Sequence, residues 1–473
     1  MIKRFEFNYP DKVALIDEGG GCITYEEIDV FCAKMSVLIH PRSLIFLLCT
    51  NTPGSLCGYL SFLKNRSVSL LLDAGKRDDM VMALLDIYHP NYLWVPSTRD
   101  NLCSLGEVVF SQLNYSLVCL NRAIIKMNDK LDLLLTTSGS TGDPKLVRLS
   151  HNNLRSNAES IAQYLKITEE ERPITSLPMH YSYGLSVINS HLIKGATILL
   201  TDKSVMQKEF WHFVKEQRAT SFSGVPYTYE MLKRLRVFRM DLPYLKTMTQ
   251  AGGKLHPDLV REYVAHAKLT GRRFIVMYGQ TEATARMSYL PFEFAEEKCA
   301  SIGMAIPGGT FKLVDSDDAE ILVPNVDGEL VYCGANVSMG YAVCLEDLIK
   351  EDMNQGILHT GDIAKRDADG FYYIVGRKKR FLKIFGNRVN LDETESMIKS
   401  AFPDLDCACA GIDDHMYIFT TNEKKASEMR SYIAEKTQLN PSAFKTVVVD
   451  HIPKNAAGKK LYASLTKYYD GLQ

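Results

Sequence analysis

Residues 136–146 read Thr-Thr-Ser-Gly-Ser-Thr-Gly-Asp-Pro-Lys-Leu, directly behind the apolar run Leu131–Leu135. Glycines at 139 and 142 let backbone N–H groups approach an anion. The hydroxyls of Thr137, Ser138, Ser140 and Thr141 add donors and Lys145 adds a positive charge, so the string is suited to holding phosphate. Its spacing is not G-x-x-x-x-G-K-[ST]: Lys145 follows Asp143-Pro144, and Leu146 comes after it. A Ser/Gly linker shares the composition, but a linker has no reason to sit behind a buried-type strand and end in Pro-Lys-Leu-Val.

Three further strings carry reactive or ligand-binding residue types. Met277-Tyr278-Gly279-Gln280-Thr281-Glu282 follows the apolar run Phe274–Met277. A strand ending in glycine and polar residues sets donors and a carboxylate at a sheet's carboxyl edge, where open α/β sheets bind ligands. Glu282 can serve a magnesium ion there, with Thr141 supplying a hydroxyl, because hard cations take one or two carboxylates plus phosphate oxygens. His359-Thr360-Gly361-Asp362 is followed fourteen residues after Asp362 by Gly376-Arg377. A carboxylate accepts both hydroxyls of a ribose and an arginine braces the same sugar. Pro453-Lys454-Asn455-Ala456-Ala457-Gly458-Lys459 puts a lysine on a glycine-containing loop that can swing over a phosphate. Taken singly, each string also fits a turn or a surface loop.

The surrounding sequence supplies elements to position these strings. Short β-branched or aliphatic runs at Ser43–Cys49, Ser67–Leu72, Tyr92–Val95, Ala196–Leu200, Thr220–Ser223 and Arg273–Met277 alternate with helical stretches. That rhythm predicts an α/β fold with packed, mostly parallel sheets. From about residue 300 the texture changes to short strands with turn residues, Gly308–Val314, Gly328–Tyr332 and Asp369–Val375, predicting a small antiparallel region with a turn at Asp369-Gly370. The basic run Arg377-Lys378-Lys379-Arg380 lies between two textures and is read as a domain junction. Beyond it an α+β tail is expected, with a helix at Leu391–Ser400 whose Asp392-Glu393 suit a helix amino terminus.

Composition narrows the classes. The 473 residues include 55 Lys+Arg against 56 Asp+Glu, so bulk charge gives no reason to expect a nucleic-acid or anionic-membrane partner. The apolar runs Leu44–Cys49 and Leu70–Leu72 are far shorter than the ~20 residues that span a bilayer, and no membrane insertion is expected. Met1-Ile-Lys-Arg-Phe-Glu-Phe-Asn lacks a secretory apolar stretch, and eleven scattered cysteines argue against a disulfide framework; a cytoplasmic protein is expected. Cys407-Ala-Cys409 is read as strand packing rather than a metal site.

The strings in this order resemble the superfamily of adenylate-forming enzymes: acyl-CoA synthetases, nonribosomal-peptide adenylation domains and firefly luciferase. The matching segments are Thr137–Lys145, Tyr278–Glu282, Gly328–Tyr341, Thr360–Asp362, Gly376–Asn390 and Pro453–Lys459, with Pro10–Ala14 and Ile23–Glu27 resembling the family's opening elements. The resemblance spans nearly the whole chain. It implies a large amino-terminal domain over 1–378 and a small mobile carboxyl-terminal domain over 379–473, hinged near Lys379. It also implies an enzyme that joins a carboxylic acid to AMP, releasing pyrophosphate, and passes the acyl group to the thiol of CoA or of acyl-carrier-protein phosphopantetheine. ATP and Mg2+ are the implied cofactors. Lys459 would bridge the carboxylate and the α-phosphate, offsetting the repulsion of two anions. The Thr137–Gly142 hydroxyls and amides would hold the β- and γ-phosphates, with Lys145 a supporting charge. Thr141 and Glu282 would serve magnesium, and Asp362 and Arg377 the ribose. Ala251-Gly252-Gly253 and Tyr278 would flank adenine, with Gly279, Gln280 and Thr281 in the same nucleotide site. Gly386 would come to the thiol channel.

Two departures stand out. Leu146 replaces the glycine usual after the phosphate-loop lysine, predicting a local packing change. In Pro178-Met-His-Tyr-Ser-Tyr-Gly-Leu185, amino-acid-activating relatives usually carry an aspartate for the substrate ammonium; here His180, Tyr181, Ser182 and Gly184 line the implied acyl pocket with no acid. A buried ammonium without a partner is costly, so an α-amino acid is disfavoured. Tyr181 matches the family's gating position, with His180 the alternative one residue away. Three other readings stay open here: an amino-acid ligase, a luciferase-like oxidoreductase and a noncatalytic nucleotide binder.

Overall fold

The strand Leu44–Cys49 faces two ways: Ile45, Leu47 and Cys49 enter one apolar cluster, while Leu44, Phe46 and Leu48 enter another. Alternation at period two, with both faces apolar, marks a strand covered on both sides. It sits in the middle of an eight-stranded sheet ordered Tyr341–Ala342, Leu146–Ser150, Leu131–Thr136, Val68–Asp73, Leu44–Cys49, Tyr92–Pro96, Tyr115–Cys119, Glu107–Gln112. The central pairings are parallel and those toward both edges antiparallel. Residues 9–136, 145–377, 381–402, 405–453, 460 and 462–469 are described in this computed structural model.

A second sheet runs Ser221–Gly224, Thr247–Gln250, Arg273–Tyr278, Ser288–Tyr289, Met304–Ala305, its first three strands parallel. The helix Ser182–Leu192 is buried along its whole length, and a Cβ on Gly184 would stand 2.3 Å from the Pro178 carbonyl oxygen, so the helix lies close on its own entry turn. The antiparallel region expected after residue 300 is a four-stranded sheet, Gly309–Val314, Gly328–Gly334, Ile357–Arg366, Tyr372–Arg377. Gly370, at φ +87°, takes the predicted turn.

The chain divides into two compact units, residues up to 136 with 146–376, and residues from 377 onward. The second has its own core, in which the helices Leu391–Ala401 and Glu423–Thr437 cover the sheet Cys407–Ile412, His415–Thr420, Phe444–Val448. Cys407 and Cys409 are buried in it, and all eleven cysteines are free thiols. Among the described residues no helix is long and apolar enough to cross a membrane.

Candidate active site

The parallel strands Thr247–Gln250 and Arg273–Tyr278 end side by side, releasing Ala251-Gly252-Gly253 and Gly279–Glu282 at one sheet edge. Gly252 has φ +85°, and a Cβ there would come within 2.8 Å of the Tyr181 hydroxyl and 3.0 Å of Val225 Cγ1. Glycine is thus required both by the backbone and by Tyr181. Gln250 Nε2 donates to the Gly253 carbonyl at 2.9 Å, fixing the turn, while Ala251 is buried. At Gly279 a Cβ would fall 1.7 Å from the Ala285 carbonyl oxygen, so the chain folds back on itself before Arg286.

Asp362 is 2% exposed, and two side-chain donors meet its carboxylate. The Tyr278 hydroxyl and Gln280 Nε2 both donate to Oδ2, the latter at 3.0 Å; the same amide reaches the Thr360 carbonyl at 3.0 Å. Thr360 lies within the strand Ile357–Arg366, where its pairing shifts register, and its Oγ1 accepts from the Asp362 amide at 3.1 Å. The carboxylate's orientation is thereby fixed before any ligand arrives. Tyr278, expected against adenine, carries this second task of orienting Asp362.

Glu282 is 5% exposed, and its Oε1 accepts from the Tyr341 hydroxyl at 2.7 Å. Tyr341 pairs with Val147, and the buried Arg148 holds the neighbouring segment by donating to the carbonyls of Met339 (2.5 Å) and Glu351 (3.0 Å). Tyr341 ends a motif quoted from the sequence, yet its pairing with Glu282 lies 59 residues away and has no local signal. Among the described residues no cluster of three or more His, Cys, Asp or Glu side chains could hold a metal. A single buried carboxylate is nevertheless the donor set that suits a magnesium ion bound mainly through nucleotide phosphates.

Ser182 Oγ lies 3.1 Å from Thr281 Oγ1, joining the implied acyl segment to the nucleotide edge. The Tyr181 ring packs edge-on to Tyr183, and burial pushes its hydroxyl pKa up. His180 faces elsewhere: its buried Nδ1 has no hydrogen-bond partner, and burial lowers its pKa against the opposing pull of Asp73. Of the two register choices, Tyr181 is the one beside Gly252. Leu146 is fully buried against Leu134 and Ala342, which is the packing change its departure from glycine predicts.

Several expected residues lie outside the described residues: Thr137, Ser138, Gly139, Ser140, Thr141, Gly142, Lys379 and Lys459. Thr136 and Leu146, on either side of the phosphate string, pair with each other, so its ends are adjacent. Lys145 is exposed immediately before that strand. Arg377 closes the strand Tyr372–Arg377. Gly386 forms with Phe385 a two-residue turn between Phe381–Ile384 and Asn387–Asn390, at φ +85° and +50°. That left-handed pair is the backbone of a type I′ hairpin and is itself a reason for glycine.

Two groups of residues escaped the sequence reading. Lys460, next to Lys459, donates to Glu395 Oε2 at 2.6 Å, and the same carboxylate accepts from the Tyr462 hydroxyl at 3.1 Å and, through Oε1, from the Cys409 amide at 2.7 Å. Glu395 thus ties the chain after the carboxyl-terminal loop to the small unit's helix and sheet. The other group surrounds a small cavity whose largely apolar wall, with Leu165, Ile167 and Val187, also carries Arg286, Arg273 and Glu171.

The AMP-binding enzyme family model matches residues 3–342. The chain belongs to that family. Its AMP-binding core is similar to a feruloyl-CoA synthase of Amycolatopsis, 29% identical over 289 residues, which is 60% of this chain and 57% of that one. It is similar too to the 2-succinylbenzoate–CoA ligase of Bacillus subtilis, 27% identical over 341 residues, 70% and 68% of the two chains. The chain thus spans less than two-thirds of the feruloyl-CoA synthase. Its fold matches o-succinylbenzoate CoA synthetase of Bacillus subtilis at TM-score 0.78, 22% identity and 97% and 96% coverage. ATP-bound MatB of Rhodopseudomonas palustris matches at TM-score 0.66, 23% identity and 98% and 97% coverage. The expected α/β architecture of adenylate-forming enzymes is therefore the fold of this AMP-binding chain.

Proposed function

We propose that this AMP-binding enzyme activates a non-amino carboxylic acid as its acyl-AMP, releasing pyrophosphate, and then passes the acyl group to the thiol of CoA or of an acyl-carrier protein's phosphopantetheine. The observation that carries the reading is the pair of pre-oriented carboxylates at one site: Asp362 held by Tyr278 and Gln280, and Glu282 held by Tyr341. Asp362 is suited to a ribose diol, with Arg377 as its brace.

In the first step the acid's carboxylate oxygen attacks the α-phosphorus and the bond to pyrophosphate breaks. Catalysis of that displacement rests on positioning and on neutralising charge. Lys459 lies between the two anions, while Thr137–Gly142 and Lys145 grip the leaving pyrophosphate. Mg2+, held by Glu282 and Thr141, would neutralise phosphate charge. Adenine rests between Ala251–Gly253 and Tyr278, and Tyr181 gates the acid. In the second step the thiol sulfur attacks the acyl carbon, the bond to phosphate breaks and AMP leaves; by the family resemblance Lys379 would serve as the hinge and Gly386 would line the thiol channel. Eleven free thiols suit a cytoplasmic, reducing setting.

Pyrophosphate exchange into ATP across amino, hydroxy and unsubstituted acids tests the reading. Exchange with non-amino acids is expected, and exchange confined to α-amino acids overturns it. Repeating the assay with CoA and with a carrier protein identifies the acceptor.

A further inference from the structure

Arg286 is 1% exposed, and among the described residues its guanidinium has no carboxylate partner. Nε donates to Ser186 Oγ at 3.2 Å, Nη1 to the Tyr164 hydroxyl at 3.2 Å and to Met277 Sδ, and the Tyr183 ring lies under the guanidinium at 4.3 Å. Nη2 makes no hydrogen bond to the described protein, and it is not among the sealed, unsatisfied atoms of the core. Arg286 is one of the residues that line the cavity. A buried cation held only by neutral groups is costly unless something anionic completes its shell.

The rest of the cavity points the same way. Ser221, also in the lining, is 9% exposed, and its buried Oγ has no hydrogen-bond partner among the described residues. His191 gives Nδ1 to the Val187 carbonyl at 2.8 Å, and burial holds its pKa down at about 4, so the imidazole is neutral at ordinary pH. Arg273, occupied by Leu165 O and Thr247 Oγ1, and Glu171, bonded to the Thr220 hydroxyl, complete the charged lining. Two guanidiniums against one carboxylate leave the lining net positive. A bare hydrocarbon tail would leave these polar groups dry and unpaired.

Thr249 links the lining to the site already described through neighbours in sequence. Tyr183, between Arg286 and Thr249, is two residues from Tyr181, and Thr249 is two residues before Ala251.

We propose that this cavity receives the tail of the acid and that Arg286 selects a short acid bearing a second carboxylate at its far end. The inference rests on the proposed adenylation. One carboxylate is activated; the other stays ionised against Arg286 Nη2.

The test is pyrophosphate exchange by the full-length wild type with length-matched mono- and dicarboxylic acids, alongside Arg286→Met and Arg286→Lys. The wild type should favour the diacid by at least about tenfold in kcat/KM, as expected where a site is built for a polar group. Arg286→Met should abolish or invert the preference while calorimetric ATP binding is unchanged, and Arg286→Lys should restore part of it. Equal or better use of monoacids by the wild type overturns the selection by Arg286 and leaves adenylation standing, even if neither variant folds. Absence of exchange with every acid overturns adenylation itself.

Discussion

The nucleotide edge and the acyl cavity lie a few residues apart and are built on opposite plans. At the edge, Asp362 Oδ2 and Glu282 Oε1 already accept hydrogen bonds from Tyr278, Gln280 and Tyr341. In the cavity's lining, Arg286 Nη2 and Ser221 Oγ have no hydrogen-bond partner among the described residues. Completed carboxylates suit a substrate shared by a whole family, which needs rigid positioning alone. Unfinished polar groups suit the substrate that distinguishes this chain, because the right acid finishes them and a wrong one leaves them buried and unpaired.

The largest effect separating the two regions should come from the chemistry both serve. Lys459→Ala should cut adenylate formation by about 1,000-fold, in the range for losing a charge stabiliser at a reacting centre, while leaving ATP binding intact. Exchange at normal rate would remove this lysine from the mechanism. Next, Arg286→Met should shift acid selectivity by roughly 10–100-fold with ATP affinity unchanged, whereas a fall in ATP affinity would merge the two regions. In the reverse sense, Tyr278→Phe removes one of the donors to Asp362 Oδ2. It should raise the KM for ATP about tenfold and leave the ranking of acids untouched, a loss of roughly one hydrogen bond to a charged group.

Smaller effects are expected away from both. Glu395→Gln should cost the small unit about 1–3 kcal/mol in urea unfolding, since Lys460, Tyr462 and the Cys409 amide share that carboxylate. His191 supplies a pH signature. Its pKa is about 4 in the fold against an ordinary 6.5, so the folded state resists a proton that the unfolded chain accepts. The stability from keeping the ring neutral is full above pH 6.5 and is lost as pH falls toward 4. His191→Gln should flatten that part of the stability profile measured by urea melts at pH 7 and pH 5; an unchanged slope would show that the ring titrates normally.

The same contrast governs what the sequence could disclose. Tyr278, Gln280 and Glu282 stand in one string because a strand's end positions neighbours in sequence, and Thr360 and Asp362 stand in another, at a register shift within the strand Ile357–Arg366. The strands Leu44–Cys49 and Arg273–Tyr278 are legible in the same way, from unbroken apolar runs. The cavity's lining comes from six separate stretches, within 165–171, 187–191, 221–223 and 247–249 and at 273 and 286. Arg286, in an apolar-flanked stretch, looks like any surface arginine until Tyr183 is found beneath it. Tyr341 and Glu395 likewise acquire their roles only through partners dozens of residues away.

Pyrophosphate exchange into ATP by the full-length chain, across a library of carboxylic acids, tests the central claim most directly. The account predicts exchange that depends on a non-amino acid, and it is contradicted if exchange occurs only with α-amino acids or with no acid at all.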